Sequence, residues 1–404
     1  MRAAFALAAC LLAASGCRSS LPYPSEEELR RDARCVLEEP EFTLFSPYDA
    51  AASAHYADAV RAEIGLLRPL IPDAGTTKVR IYLAPLADEQ GRTPEPWQTP
   101  SKRSLKGAAS EGEFAFVYVP ARIEDSSALE RAAFMSGGTL RHELAHLYAS
   151  RAGLARAPWF NEGLALEVES MRSAEGALHA HPFPPYLLVA RMHAQPGALQ
   201  QLLRWSYTDD LSDSERSLRY VWAHALFRYL FEQQAQGGFL ERARAIADLG
   251  EQALLAREPA WLAWLAGLDA LERIRAGAHS ASPVERSLCS GVLPVLAESG
   301  APELATRAAD ELALELLGDP VCVDPAATFL IFFRAPELRA QDIEELDRSD
   351  DPGRVLTAQA LHARRKEPVD LERARAAWQR VPERERDRLV VPVSLIPGLS
   401  GGSR

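Results

Sequence analysis

His142, Glu143 and His146, in the stretch HELAH, are the residues whose types and spacing point most directly to chemistry. In an α-helix, positions i and i+4 lie one above the other on one face, so both imidazoles can aim a nitrogen at one metal ion. Glu143 lies about 100° further round, near enough to polarise a metal-bound water and carry its proton. A catalytic zinc takes three protein ligands and keeps its fourth position for water. Downstream, after YASRAGLARAP, the chain reads WFNEGLALEVE over residues 159–169. Pro158 suits the first turn of a helix, and Gly153 in its Ala-rich surroundings suits the turn before it. Glu162 then falls in the first turn of the second helix, aimed back at the His pair. In isolation Glu162 reads as one more solvated helix carboxylate; beside HELAH it reads as the third ligand.

The pairing of TLRHELAHLY with PWFNEGLALEVE resembles the gluzincin metallopeptidases, most closely the peptidase MA-like domains related to the aminopeptidase N family. The resemblance covers roughly residues 41–276. It implies that Glu162, in the NEG(F/L)A motif, is the third zinc ligand, and it places Glu169 where these families carry another acidic residue late in that helix. It also implies a catalytic tyrosine on a later helix; LRYVWAHALFRYL, residues 218–230, offers Tyr220 as the phenol that stabilises the oxyanion. The chain departs from the pattern at Trp222 and Ala223, which replace the usual Lys-Gly. The gap between His146 and Glu162 is a few residues shorter than in aminopeptidase N. No GAMEN-like stretch precedes the zinc helix, where EGEFAFVYVP stands instead, so the resemblance does not extend to binding a free peptide N-terminus. His224, one helical turn after Tyr220 on the same face, is a second candidate donor. The alternative for Tyr220 is a core tyrosine of an amphipathic helix.

The elements that must position these residues are legible at low resolution. SEEELRRDARCVLEE, residues 25–39, reads as one acidic helix and EFTLFS, 41–46, as a strand. Residues 48–67 have helical apolar spacing at Ala52, Tyr56, Val60, Ile64 and Leu67. TKVRIYLAP (77–85) and EFAFVYV (113–119) alternate as strands, separated by a polar stretch, 86–111, that is long for an ordinary connection. In the gluzincins an edge strand beside the zinc helix pairs with extended substrate, and residues 113–119 are the candidate for that role by β-augmentation. From about residue 280 the chain reads as short helices broken by Gly, Pro and Asp. These resemble tetratricopeptide-like helix pairs without a clear fixed period. Docking of substrate or partner protein and simple support of the catalytic domain are both open for them.

The N-terminus reads MRAAFALAACLLAASGC, a single Arg, a short apolar run and small residues before a cysteine. Residues 1–16 are the expected signal segment and Cys17 the expected lipidated residue. The resemblance to a bacterial lipoprotein implies an anchor in the outer membrane facing the periplasm, with a secreted or soluble periplasmic form as the alternative. The net charge of −11 over 404 residues excludes a general nucleic-acid partner. Of the five cysteines, Cys10 leaves with the signal and Cys17 takes lipid. Cys289 and Cys322 are then the most plausible disulfide in an oxidising compartment, with Cys35 left over unless it replaces one member of that pair.

These readings give an α+β fold, with a small mixed sheet packed on a zinc-binding helical catalytic domain and an all-α C-terminal domain after it. The expected divisions are signal 1–16, lipidated linker and short helix 17–40, metallopeptidase domain 41–278, helical domain 279–392 and disordered tail 393–404. The expected function is hydrolysis of peptide or protein substrates with one Zn2+ held by His142, His146 and Glu162 and with Glu143 as base. The alternative is a lipid-anchored scaffold that keeps zinc only for structure or not at all. Glu143 favours the enzyme, because a structural site needs no base beside its ligands.

Overall fold

The computed structural model of the chain describes residues 26–72, 78–85, 114–119, 138–174, 176–180, 186–234, 236–280, 283–298, 301–382, 386, 389–397 and 399. The expected signal segment, Cys17 and the stretch 86–111 lie outside the described residues. The described chain divides into two compact units, one up to Gly267 and one from Leu268. It is mostly helical with a small mixed sheet, an α+β chain.

The first unit opens with α1 (Glu26–Asp32), β1 (Cys35–Glu38), β2 (Phe42–Ser46), α2 (Ala50–Leu70), β3 (Val79–Pro85) and β4 (Phe114–Val119). The sheet order is β1-β2-β3-β4, with β1 antiparallel to β2 and the other pairs parallel. Every residue of β2 is buried, as expected of a strand covered on both faces. Asp49 caps α2 by accepting from the Ala52 amide. Of the expected apolar face, Tyr56, Val60, Ile64 and Leu67 are buried and Ala52, in the first turn, is half-buried. One expectation fails here: residues 35–38 are a strand and not the end of an acidic helix. Pairing of Val36 with Phe45 and Leu37 with Leu44 overrides the local helical pattern.

The zinc-type motif lies on α3 (Gly138–Arg151) and the NEGLA motif on α4 (Pro158–Ser170). Gly153 takes a positive φ of 71° in the turn between them. Ala157, extended, leads into Pro158 at the first helical position. A hairpin of β5 (Arg172–Ala174) and β6 (Ala177–His179) follows, then α5 (Tyr186–His193), α6 (Ala198–Leu203) and α7 (Asp213–Gln233). Ser212 and Glu215 form a capping box at the start of α7. Helices α8 (Phe239–Ala247), α9 (Glu251–Leu255) and α10 (Glu258–Ala266) complete the unit. Helix α4 packs on both α3 and α7 and is buried from Trp159 to Val168 except at Asn161. Gly163 makes the α7 contact possible, since a Cβ there would stand 2.6 Å from the Ala223 carbonyl oxygen and 2.8 Å from Phe227 Cβ.

In the second unit the described elements are all helical: α11 (Ala270–Ala278), α12 (Pro283–Glu298), α13 (Arg307–Leu316), α14 (Val323–Phe329), α15 (Ala340–Asp347), α16 (Pro352–Arg365), α17 (Leu371–Arg380) and α18 (Val390–Leu395), with a 3-10 turn at Pro302–Ala305 and a π turn at Leu330–Arg334. Successive helices pack on one another, α11 on α12, α15 on α16 and α16 on α17. The expected domain boundary at residue 278 falls after α11, which belongs to this unit. The expected tail from residue 393 begins inside α18, and Ile396 beyond it is buried. The expected Cys289–Cys322 disulfide is not formed. Cys322 carries a free thiol that donates to the Arg286 carbonyl oxygen, and burial pushes that thiol up to about 11. Both cysteines serve as small apolar side chains of a helical core. Cys35 is also a thiol. No helix among the described residues is long and apolar enough to cross a membrane.

Candidate metal centre

One helical turn separates His142 from His146 on α3, and their Nε2 atoms lie 3.1 Å apart. Glu162 Oε2, from the start of the second turn of α4, stands 3.3 Å from each of them. Among the described residues these three form the one group that can hold a metal ion. Glu162 Oε2 is buried yet makes no hydrogen bond, and the three atoms face one another closely enough to share a metal ion. Ligand bonds of about 2.0–2.1 Å at tetrahedral angles put neighbouring ligand atoms about 3.3–3.4 Å apart. The observed edges come close to that spacing, and the residues present fit a tetrahedrally bound divalent cation.

A second layer of contacts fixes each ligand. Nδ1 of His142 donates to Glu169 Oε2 at 2.9 Å, leaving its Nε2 lone pair for the centre. The Tyr186 hydroxyl reaches the other oxygen of Glu169 at 3.4 Å. The Tyr207 hydroxyl donates to Glu162 Oε1 at 2.8 Å. Next to His142, the Arg141 guanidinium makes a two-pronged pair with Glu63 of α2 at 2.7 and 2.9 Å and donates to the Met171 carbonyl at the end of α4. Arg141 and Glu63 are both buried, so this pair ties α2, α3 and the end of α4 together at the depth of the ligands.

The electrostatics of the pocket favour positive charge. Burial opposes a proton on His142, but Glu162 and Glu169 outweigh it and raise its proton affinity well above that of an ordinary imidazole. Burial also pushes Glu162 up, and His146 with His142 more than offsets this, holding the carboxyl well below the usual range. A metal ion binds such ligands by displacing protons. Glu143 is different. Burial pushes its carboxyl up to about 7 against the pull of the two imidazoles, with Glu162 and Glu169 adding to the rise. Its Oε2 is buried without a hydrogen-bond partner. A carboxyl that titrates near neutrality is matched to taking up and returning a proton.

The remaining expected residues are also buried. Tyr220 is 1 % exposed, its ring edge to face with Trp205 at 5.3 Å. His224 is fully buried, with Nε2 at 3.1 Å from Glu167 Oε2, and Arg228 donates to the other oxygen of Glu167 at 2.6 Å. This pair of contacts clamps α7 onto α4. The structure therefore brings together His142, His146, Glu162 and Glu143, and places Tyr220 and His224 in the packing between α4, α6 and α7. Tyr207 carried no sequence signal, since it lies in the connection between α6 and α7 without periodic spacing. Compared with protein-family models, curated proteins and solved structures, the chain matches none of them, so the reading of this centre rests on its own residues.

Proposed function

We propose that the chain is a zinc-dependent peptidase in which His142, His146 and Glu162 hold the metal and Glu143 is the general base. The observation that carries the reading is the buried Nε2–Nε2–Oε2 triangle, with the buried Glu143 carboxyl on the residue next to one of its corners. Two imidazoles and one carboxylate form a ligand set suited to catalytic zinc, and the resemblance of HELAH and NEGLA to the gluzincins agrees with it. A bound zinc ion supplies a Lewis acid that acidifies water and polarises a carbonyl.

Glu143 accepts a proton as the water oxygen bonds to the scissile carbonyl carbon, then delivers it to the amine as the C–N bond breaks. Glu169 keeps His142 in the tautomer that offers Nε2 inward. The Arg141–Glu63 pair and the Glu167–Arg228 clamp hold the two ligand helices at fixed spacing. Among the described residues β4 is the last strand of the sheet, and it packs against α3. Its outer edge can take an extended peptide in β-augmentation, with backbone bonds positioning the substrate. The lipidated Cys17 places this activity on the periplasmic side of a membrane in the proposal.

Hydrolysis of a peptide library by the zinc-loaded protein tests the reading. Cleavage is expected, and Glu143→Gln should reduce it by at least about 100-fold, the scale of a general base, with zinc content unchanged. Equal cleavage by the two proteins, or no Glu143-dependent cleavage at full zinc content, would remove the enzymatic reading.

A further inference from the structure

We infer that Tyr207 is a positioning residue for Glu162, holding its carboxylate so that Oε2 alone faces the metal. The inference rests on reading the triad as a metal centre. The two oxygens of Glu162 have separate tasks: Oε2 completes the triangle with the two imidazoles, and Oε1 accepts the Tyr207 hydroxyl at 2.8 Å. A carboxylate free to turn can offer both oxygens to one ion, which fills the position that water and substrate need. A phenol on Oε1 opposes that rotation and keeps the coordination open.

Tyr207 is itself held in place. Trp205, buried beside it, meets the Tyr207 ring edge to face at 5.7 Å and the Tyr220 ring at 5.3 Å. The Ser206 amide donates to Asp209 Oδ2 at 2.9 Å, closing a turn around Tyr207, and the Ser212–Glu215 capping box fixes the exit into α7. Tyr220, the tyrosine favoured by the sequence, joins this ladder of rings: it packs on Trp205, and Trp205 packs on Tyr207. Tyr207 is half-buried where Tyr220 is enclosed, which places the Tyr207 phenol at the wall of the site.

The test compares wild type, Tyr207→Phe, Tyr220→Phe and Glu162→Ala as full chains stripped of metal. Zn2+ affinity is read by competition with a chromophoric chelator, and Co2+ is added separately because its visible absorption reports coordination number. Tyr207→Phe keeps the ring packed on Trp205, and the unfolding midpoint of the metal-free protein checks that it folds. It is expected to weaken Zn2+ binding about 10- to 100-fold, the usual effect of losing such a partner, and to lower the Co2+ absorption toward that of a more highly coordinated ion. Tyr220→Phe is expected to change neither, and Glu162→Ala to lose more affinity than either phenylalanine variant. Wild-type affinity and an unchanged Co2+ spectrum in Tyr207→Phe, with metal lost in Glu162→Ala, would overturn the positioning role. Unchanged affinity in Glu162→Ala would overturn the metal centre beneath it.

Discussion

Buried carboxylates in the metal-site region and in the helical unit face opposite surroundings. In the helical unit the two most deeply buried among the described residues are answered by arginine: Asp310 by Arg334 at 2.7 and 3.2 Å, and Asp342 by both Arg307 and Arg339. Arg339 and Arg307 hold the Asp342 carboxyl down to about 2, so it is a spent charge with a structural task. At the α3–α4 contact, the charges acting on Glu143 and Glu162 come from two imidazoles and further carboxylates. Lone pairs there exceed donors, and Glu162 Oε2 and Glu143 Oε2 are left without hydrogen bonds. The difference separates a carboxylate answered by arginine from one whose buried oxygen is left without a hydrogen bond. Glu63 and Glu167, which flank the centre, belong to the first kind, because Arg141 and Arg228 answer them.

The largest break in this comparison is expected from Glu63→Ala, which strands the Arg141 guanidinium at 2 % exposure. Removing one partner of a buried pair costs about 3–5 kcal/mol. Asp310→Ala should cost less, about 1–3 kcal/mol, because Arg334 keeps some access to water and its freed charge can hydrate. Chemical unfolding of both variants checks the order; equal costs would mean that depth does not distinguish the two regions.

Gly163→Ala should come next. Its Cβ meets the Ala223 carbonyl oxygen, which is backbone and cannot swing aside. Overpacking of this kind costs about 1–3 kcal/mol, and the displaced α4 should carry Glu162 away from the histidines. A thermal shift together with reduced metal affinity is the expected outcome.

The smallest effect sharpens the comparison from the helical side, at a carboxylate raised by burial rather than lowered by arginine. Burial pushes the Asp324 carboxyl up to about 6, while the Val391 amide donating to it pulls the other way. An unfolded Asp titrates near about 3.9, so the folded state holds its proton more tightly. Stability from this group is fully present below that value and is lost as pH rises through about 6. Asp324→Asn should therefore stabilise the chain by about 1–3 kcal/mol at pH 8 and by nothing at pH 4. Denaturant midpoints at the two pH values measure it, and a gain of equal size at both would contradict the assignment.

Much of this was readable from the chain. The His142, His146 and Glu162 group stood out because i, i+4 spacing and an N-terminal proline are local signals, and β2, α2, β3 and β4 followed from their apolar patterns. What escaped was long-range. CVLE continues a charged helical run by sequence, and only its pairing with FTLFS makes it a strand. Arg141 and Glu63 lie 78 residues apart, so no spacing rule joins them. Tyr207 sits in a connection whose course is set by Trp205 packing on α7. The cysteine pairing was argued from compartment, whereas apolar burial decided the positions of Cys289 and Cys322.

The central claim is a zinc ion held by two imidazoles and a carboxylate. X-ray absorption at the zinc edge of the loaded protein, with metal quantified per chain, tests it most directly. The account predicts about one zinc per chain, nitrogen and oxygen neighbours at about 2.0–2.2 Å with the outer scattering of two imidazoles, and no sulfur. Sulfur at about 2.3 Å, or the absence of stoichiometric zinc, would contradict it.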